Sequence, residues 1–284
     1  MSKQLEELPA LRNVIAQHGL AARKGLGQHF LLDLNLTRKI VTAAGDLDGC
    51  TVFEVGPGPG GLTRALLAGT AKKIIAIEKD PRCVAAVNEL VELAEGRLEI
   101  IEGDALALDL TTLAPAPRAI IANLPYNVGT PLLIGWLKNI GAYKSLTLMF
   151  QAEVAERLTA KPGTKTYGRL SVMTQFCCDA KRVMTVPARA FTPAPKVNSA
   201  VVHLVPRLSR PADVSFEAME TITTAAFGQR RKMLRSSLKT LGGEALLKRA
   251  GIDPQRRAEE LSVAEFENLA RSFSSPPAGE DRKP

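Results

Sequence analysis

The segment Asn123-Leu124-Pro125-Tyr126 directly follows the apolar run Ala119-Ile120-Ile121-Ala122. A buried strand that ends here places a polar, proline-stiffened loop at its carboxyl end, the edge of an open α/β sheet where ligands bind. Pro125 keeps Leu124 extended, so the Leu124 carbonyl and the Asn123 side chain can both accept hydrogen bonds from a ligand. Two acceptors beside an aromatic ring suit a flat base that carries an amino group, such as adenine. The alternative is a strand-ending turn with Tyr126 in the core.

A second candidate site is the glycine-rich run Gly56-Pro57-Gly58-Pro59-Gly60-Gly61, between a predicted strand at 52–55 and a predicted helix at 62–68. Glycines at this place allow a tight turn and a close approach of the backbone to a ligand. Together with Glu78 at the end of the next strand, their spacing matches the dinucleotide-binding pattern. The pattern leaves two cofactors open, a nicotinamide or flavin dinucleotide and S-adenosylmethionine (SAM).

Three features favour SAM. Glu54 gives the glycine run the acidic form E-x-G-x-G that is typical of methyltransferases, and we expect it to organise the loop and the amino-acid end of the cofactor. Asp104 follows the third strand, where a carboxylate can accept a hydrogen bond from the adenine amino group of the cofactor. The Asn123 loop ends the fourth strand, facing the expected position of the methyl group. For Glu78 and Asp104, the alternative is a solvated carboxylate at a strand end.

Together these residues predict methyl transfer to the exocyclic nitrogen of an adenine, a poor nucleophile because its lone pair is delocalised into the ring. Hydrogen bonds accepted by Asn123 and by the Leu124 carbonyl would make this nitrogen pyramidal, so catalysis is mainly positioning and electrostatics. An adenine in RNA must first be unstacked. Tyr126 and Phe191, which precedes the stiff segment Thr192-Pro193-Ala194-Pro195, are the predicted stacking partners. The alternative for Phe191 is a core residue under a rigid connection.

The elements that must position these residues alternate between strand and helix. We predict strands at 52–55, 73–77, 98–101, 119–122 and 146–150, and helices at 35–44, 62–68, 82–94, 131–139 and 153–159. Short, nearly all-apolar strands separated by helices predict an α/β fold with a parallel sheet covered on both faces. Two further β-rich pieces, 181–186 and 200–205, have no full helix between them and predict an antiparallel edge.

The 284 residues suffice for one large and one small domain. From about Arg207 the pattern is helical only. We therefore expect a cofactor-binding domain at 1–206, a helical RNA-binding domain at 207–273 and a disordered polar tail at 274–284. A net charge of +8 favours a polyanionic partner.

The four cysteines form no C-x-x-C pair, which predicts free thiols and no metal site. The sequence has neither a signal-peptide pattern nor a run long enough to span a membrane. We therefore expect a cytoplasmic protein.

An ordered series of motifs resembles the ribosomal small-subunit RNA adenine dimethyltransferases, known in bacteria as the KsgA family. The resemblance extends from about residue 23 to residue 273. Its motifs are, in chain order, Gly27-Gln28-His29-Phe30-Leu31, Glu54-Val55-Gly56-Pro57-Gly58, Ile77-Glu78, Gly103-Asp104-Ala105, Asn123-Leu124-Pro125-Tyr126-Asn127, Tyr167-Gly168-Arg169-Leu170-Ser171-Val172, Phe191-Thr192-Pro193, Pro195-Lys196-Val197 and Phe227-Gly228-Gln229-Arg230-Arg231-Lys232.

The resemblance implies a Rossmann-like methyltransferase domain, with a mostly parallel seven-stranded sheet, and a small all-helical domain. It implies that the protein transfers four methyl groups from SAM, which becomes S-adenosylhomocysteine, to N6 of two adjacent adenines. These adenines lie in the hairpin loop near the 3′ end of 16S rRNA, in the 30S subunit or its late precursor. The resemblance also implies a late role in small-subunit assembly, and we expect a monomer.

By motif position, the resemblance implies six cofactor contacts: His29, Leu31, Gly56, Glu78, Asp104 and Asn123. His29 departs from the family pattern, which usually has asparagine at this place. An imidazole can still donate one hydrogen bond.

A cluster of basic residues lies in the C-terminal part of the chain, where we predict one helix that carries Arg230, Arg231, Lys232, Arg235 and Lys239. A phosphate-backbone site is the expected use of such a cluster. The alternative is a solvated charged face.

Three other functions stay open. A related family of antibiotic-resistance methyltransferases acts on 23S rRNA and shares the pocket. The protein could also be a ribosome assembly factor without catalysis, although the Asn123–Tyr126 motif argues against this. A dehydrogenase rests on the glycine pattern alone.

Overall fold

The computed structural model describes residues 7–22, 25, 27–229 and 231–275. The chain divides into two compact units. The first contains the described residues up to Ala155 together with Ala180–Pro206, and the second contains Glu156–Asp179 and the described residues from Arg207 onwards. The sequence pattern predicts a first domain of residues 1–206, whereas the structure groups 156–179 with the C-terminal helices.

Seven strands form the main sheet: β2 (Thr51–Val55), β3 (Lys73–Glu78), β4 (Leu98–Glu102), β5 (Arg118–Asn123), β6 (Ser145–Gln151), β7 (Cys178–Val186) and β9 (Ser199–Pro206). Their order is β4-β3-β2-β5-β6-β9-β7, and all of their residues except Cys178 and Asp179 belong to the first unit. The pairs β2–β3, β3–β4, β2–β5 and β5–β6 are parallel, and β9 runs antiparallel to β6. The predicted α/β class, the parallel sheet and its antiparallel edge are confirmed.

The central strands are apolar on both faces because helices cover both faces of the sheet. In β2 and β5, for example, Phe53, Ile120 and Ile121 are all completely buried. The helices with residues in this unit are Leu11–Gln17, Leu34–Ala43, Gly61–Leu67, Pro81–Leu93, Gly129–Lys138 and Ala152–Leu158. Each predicted strand and helix of the alternating region is present, with bounds that differ by at most two residues.

Local sequence signals set several of these boundaries. Asp80 accepts a hydrogen bond from the Arg82 N–H at the start of helix Pro81–Leu93, and Pro81 occupies the first helical turn. Asp33 accepts from two backbone N–H groups at the start of helix Leu34–Ala43. Helices that begin directly after strand ends in this way leave the connecting loops at the carboxyl edge of the sheet.

A separate two-stranded pair lies in the first unit. The strands β1 (Phe30–Leu31) and β8 (Phe191–Thr192) run antiparallel, with Leu31 opposite Phe191. This pair joins the N-terminal segment to the proline-rich connection that precedes β9.

The second unit is helical. Its helices are Arg169–Cys177, Phe216–Gly228, Leu234–Ser237, Gly243–Arg249 and Val263–Ser274. Its core contains the completely buried Tyr167, whose hydroxyl donates to the Leu261 carbonyl oxygen over 2.9 Å. The ring of Phe227 stacks on Phe266 with centroids 5.6 Å apart. The predicted small helical domain after residue 207 is therefore part of a helical unit.

All four cysteines are buried and free, as the sequence predicted. None of the described helices is both long enough and apolar enough to cross a membrane.

Candidate cofactor and base site

A cavity opens at the carboxyl ends of β2, β3, β4 and β5, all within the first unit. In the sheet, β3 and β4 lie on one side of β2, and β5 and β6 lie on its other side. The direction in which the chain adds strands therefore reverses between β2 and β5. Such a switch point opens a crevice because the loops after the two strands leave in opposite directions. The cavity lining includes His29, Leu31, Glu54, Gly56, Glu78, Asp104 and the residues 123–126.

The glycine loop packs closely against Phe30 and Leu31. A Cβ atom at Gly58, where φ is +55°, would stand 3.0 Å from the Phe30 ring. A Cβ atom at Gly61 would stand 2.7 Å from the Leu31 carbonyl oxygen. Side chains are therefore excluded at both positions, and the loop backbone itself forms one wall of the cavity, as the sequence predicted for a ligand cradle.

Glu78 organises this loop from the end of β3. Its carboxylate accepts hydrogen bonds from the backbone N–H groups of Gly58, Lys79 and Asp80 over 3.2, 2.8 and 2.9 Å. Burial nevertheless raises the pKa of the Glu78 carboxyl, because desolvation outweighs the three donors. A carboxylate fixed in this way has its remaining lone pairs available to a ligand in the cavity.

Glu54 is the unpaired carboxylate of the site. It is 1% exposed, and neither of its oxygens accepts a hydrogen bond from the residues that the structure describes. Burial raises its pKa to about 8. The Thr63 hydroxyl and N–H offset part of this rise in pKa, but neither reaches the geometry of a full hydrogen bond. A buried carboxylate this poorly hydrogen-bonded is costly, so the position favours a ligand group that carries positive charge or N–H donors.

Asp104 differs from both of these carboxylates. Lys79 Nζ lies 2.8 Å from its carboxylate, and the Leu106 N–H donates to it over 3.0 Å. The hydrogen bond from Lys79 holds the pKa of the Asp104 carboxyl below its usual range. Asp104 is therefore an ionised acceptor at the end of β4 at neutral pH.

Asn123 is oriented by the backbone of the N-terminal segment. Its side-chain Nδ2 donates to the His29 carbonyl oxygen over 3.2 Å. Because the amide donates on that side, its Oδ1 is left as an acceptor for a group in the cavity. This is the arrangement that recognition of an amino group requires.

Two side-chain contacts hold Tyr126. Its hydroxyl lies 2.7 Å from Ser199 Oγ, and its ring centroid lies 5.2 Å from that of His29 at an angle of 30°. The His29 Nδ1 atom is in turn 2.8 Å from the Pro193 carbonyl oxygen. The predicted alternative of a core Tyr126 therefore does not apply, since the residue is half-buried and lines the cavity.

Phe191 is the predicted site residue that the structure does not bring to the cavity. It is 3% exposed and belongs to the core cluster that also contains Leu31. A buried ring cannot stack on an incoming base unless it is first uncovered, so the structure favours the core alternative for Phe191.

Sequence reasoning missed two residues around the site. Lys79 directly follows Glu78, and its position at a strand end could have identified it as a partner for Asp104. Ser199 gave no signal, because it lies 73 positions from Tyr126 and belongs to no chemical motif.

The C-terminal basic cluster does not form the predicted single helix, and that prediction was wrong. Helix Phe216–Gly228 ends at a glycine, a poor helix former. The N–H groups of Leu234 and Arg235 donate to the carbonyl oxygens of Arg256 and Pro254, so the chain cannot continue the helix there.

Arg231 and Lys232 lie exposed in the connection between two helices. Arg235 lies in the next short helix, where it is 3.9 Å from Glu244. Arg230 lies outside the described residues. Lys239 begins a separate 3-10 turn, Lys239–Leu241. The described members of the cluster therefore lie in a loop and two short helical segments, and their role in RNA binding stays a prediction.

Comparisons with known proteins give one consistent answer. The family model described as ribosomal RNA adenine dimethylase matches residues 19–275. The chain belongs to the ribosomal RNA adenine dimethylase family. Members of this family are SAM-dependent methyltransferases, so the class of enzyme expected from the sequence is confirmed.

Two named relatives are ribosomal RNA small subunit methyltransferase A of Rhizobium etli (strain CIAT 652) and of Rhodospirillum rubrum. The first is 59% identical over 95% of this chain and 99% of its own length. The second is 57% identical over 94% of this chain and 93% of its own length.

Solved structures of the same fold include a dimethyladenosine transferase from Plasmodium falciparum, with a TM-score of 0.74 and 29% identity over 85% of this chain and 96% of that one. The 23S rRNA methyltransferase ErmE has a TM-score of 0.67 and 26% identity over 87% of this chain and all of its own.

The raised pKa of Glu54 predicts a pH-dependent stability of the ligand-free protein. Between its ordinary pKa of 4.5 and the folded value of about 8, the folded state keeps a proton that the unfolded state releases. This carboxyl therefore makes the free energy of unfolding fall as pH rises through that window. A glutamine cannot ionise, so Glu54→Gln should gain stability over the wild type as pH increases from 5 to 8.

Denaturant unfolding of both proteins without ligand at pH 5, 6.5 and 8 checks this prediction. Glu92→Gln, which replaces an exposed carboxylate on helix Pro81–Leu93, serves as the control and should show a constant difference. If the difference in free energy of unfolding between Glu54→Gln and the wild type is also the same at all three pH values, the Glu54 carboxyl of the ligand-free protein does not have a raised pKa.

Proposed function

We propose that the cavity binds SAM and that the protein dimethylates N6 of two adjacent adenines in the 3′-terminal hairpin loop of 16S rRNA. The observation that carries this proposal is the Asn123 amide, which lines the cavity and donates to the His29 carbonyl, so that its own oxygen remains as an acceptor. The substrate would be the 30S subunit or its late precursor, met in the cytoplasm by a monomeric enzyme with a late role in subunit assembly.

The residues present fit SAM. The glycine loop offers bare backbone, and Glu54 is a buried carboxylate that needs a cationic or N–H partner. Glu78 would accept from the ribose hydroxyls and Asp104 from the adenine amino group, while His29, Leu31 and Gly56 line the remaining wall. Bound there, SAM supplies a methyl group on a positively charged sulfur atom, which is a good leaving group.

The chain's own residues then act on the target base. Asn123 Oδ1 and the Leu124 carbonyl would accept hydrogen bonds from the adenine amino group and make its lone pair available. As the nitrogen gains the methyl group, the bonding electrons would stay on the sulfur, and the surplus proton on nitrogen would pass to solvent. Tyr126 would stack on the ring and Pro125 would keep the loop rigid. No acid–base dyad is needed, because positioning and electrostatic stabilisation carry the rate.

The names of the relatives support the small ribosomal subunit as the substrate. The two relatives named above are both small subunit methyltransferases, and each is more than twice as similar in sequence to this chain as the 23S rRNA enzyme ErmE. An ErmE-like activity on 23S rRNA is the second candidate, since ErmE shares the fold over most of this chain.

Transfer of radiolabelled methyl groups from SAM to purified, unmethylated 30S subunits tests the proposal, with 50S subunits in parallel and mass mapping of the RNA. We expect label only in 16S rRNA, as two adjacent dimethyladenines in the 3′ hairpin loop. Label confined to 23S rRNA would instead support the ErmE-like activity. Binding to 30S without label on either subunit would indicate an assembly factor without catalysis.

Replacing Arg231 and Lys232 together with alanine should weaken 30S binding and reduce its salt dependence. Each lost phosphate contact removes ~0.7–0.9 from the slope of log K against log salt concentration, so we expect a change of roughly 1–2. Binding measured at several salt concentrations checks this.

The matched control is Lys39→Ala with Lys72→Ala, which also removes two exposed charges. The control should leave the slope near that of the wild type. An equal slope change in both double variants would mean that Arg231 and Lys232 act through net charge alone.

A further inference from the structure

We propose that Ser199 is a positioning residue that holds the ring of Tyr126 in place for the target base. This inference rests on the proposed function, because it assigns a role to a contact made by the base-stacking residue. The Tyr126 hydroxyl lies 2.7 Å from Ser199 Oγ, an ordinary hydrogen-bond length between residues 73 positions apart.

Ser199 is a rigid anchor. It is completely buried and is the first residue of β9, where it pairs with Gln151 of the neighbouring antiparallel strand β6. The preceding residue is held as well, since the Asn198 carbonyl oxygen accepts from the Ala152 N–H over 2.9 Å. A hydroxyl fixed in this way transmits the position of the sheet to the tip of the Tyr126 side chain.

Tyr126 itself lies in a loop, not in the sheet. The loop closes with hydrogen bonds from the N–H groups of Val128 and Gly129 to the Pro125 carbonyl oxygen. These bonds fix the backbone and leave the Tyr126 ring free to turn about its side-chain torsions. The hydrogen bond to Ser199 removes that freedom at the hydroxyl end.

The ring face is held at the same time. His29 lies against Tyr126 with centroids 5.2 Å apart, and its own Nδ1 atom is 2.8 Å from the Pro193 carbonyl oxygen. The tilted imidazole therefore restricts the orientation of the Tyr126 ring, in addition to the bond at its hydroxyl. Stacking needs this ring orientation fixed before the base arrives, because an ordered partner loses less entropy on binding.

Burial raises the pKa of the Tyr126 hydroxyl, which stays protonated at neutral pH. The Tyr126 hydroxyl and the Ser199 hydroxyl then form one hydrogen bond, in which either group can be the donor. The contact is thus a neutral hydrogen bond whose role is geometric, not a proton-transfer step.

A double-mutant cycle tests the inference with Tyr126→Phe, Ser199→Ala and the combined variant. Both single changes remove the same hydrogen bond, one from each side, and Tyr126→Phe leaves the stacking ring intact. Single-turnover methyl transfer to 30S subunits should fall about five- to tenfold in each single variant, as expected for one lost hydrogen bond. The combined variant should be no slower than either single variant, because the bond can be lost only once.

Calorimetric SAM affinity and the thermal midpoint are measured on the same variants. A positioning role predicts SAM affinity within about twofold of the wild type, whereas general damage to the sheet would lower the affinity and the rate together. Ser199→Thr keeps a hydroxyl and should recover most of the rate. Ser145→Ala removes a buried serine at the start of the neighbouring strand β6 and should leave the rate unchanged.

Multiplicative losses in the combined variant, or a wild-type rate in Ser199→Ala, would overturn the inference while leaving the proposed function intact. A wild-type protein that labels neither ribosomal subunit would overturn the proposed function, and the inference with it. If Ser199→Ala does not fold, Tyr126→Phe decides alone, since it breaks the same bond without touching the sheet. A wild-type rate in Tyr126→Phe would then reject the positioning role.

Discussion

The hydrogen bond from the Asn123 amide to the His29 carbonyl oxygen is the contact on which the site depends. It joins the end of β5 to the segment before β1, across the switch point of the sheet. Without it the amide could turn, and its donor and acceptor ends would be exchangeable towards the cavity. With it, the amide oxygen remains as an acceptor, which is what the proposed recognition of an amino group requires. The parallel sheet, the glycine loop and the β1–β8 pair all serve to bring these two backbone segments together.

Three carboxylates at successive strand ends show how position sets chemistry. Glu54 is buried without a full hydrogen bond, and burial raises its pKa to about 8. Glu78 is also buried but receives three backbone hydrogen bonds, and Asp104 is paired with Lys79. A ligand that extends along these strand ends would therefore meet first a carboxyl that needs a cationic partner and last an ionised acceptor. This order of the three carboxyl groups fits a cofactor with a cationic amino-acid end and an adenine at the other end.

The parts that could be predicted from the sequence are those fixed by local pattern. Apolar runs such as Ala119–Ala122 fixed the strands, and the glycines and acids that follow them marked the carboxyl edge of the sheet. Whether Phe191 is buried or exposed could not be predicted from the sequence, because its burial depends on the antiparallel partner Leu31, 160 positions earlier. The prediction of a single basic helix was wrong for a similar reason. The N–H groups of Leu234 and Arg235 donate hydrogen bonds to the carbonyl oxygens of Arg256 and Pro254, about 20 positions later in the chain. The contact between Ser199 and Tyr126 could not be predicted, because no local pattern connects residues that lie 73 positions apart.

The most direct test of this account is the effect of Asn123→Ala on methyl transfer and on cofactor binding, measured separately. Single-turnover transfer to 30S subunits should fall by at least about a hundredfold, because the amide carbonyl acts on the reacting nitrogen. Calorimetric SAM affinity should fall only modestly, while Asn88→Ala, which replaces an exposed asparagine on helix Pro81–Leu93, should match the wild type in both. Unchanged transfer in Asn123→Ala would contradict the account, since the oriented amide would then have no part in the reaction.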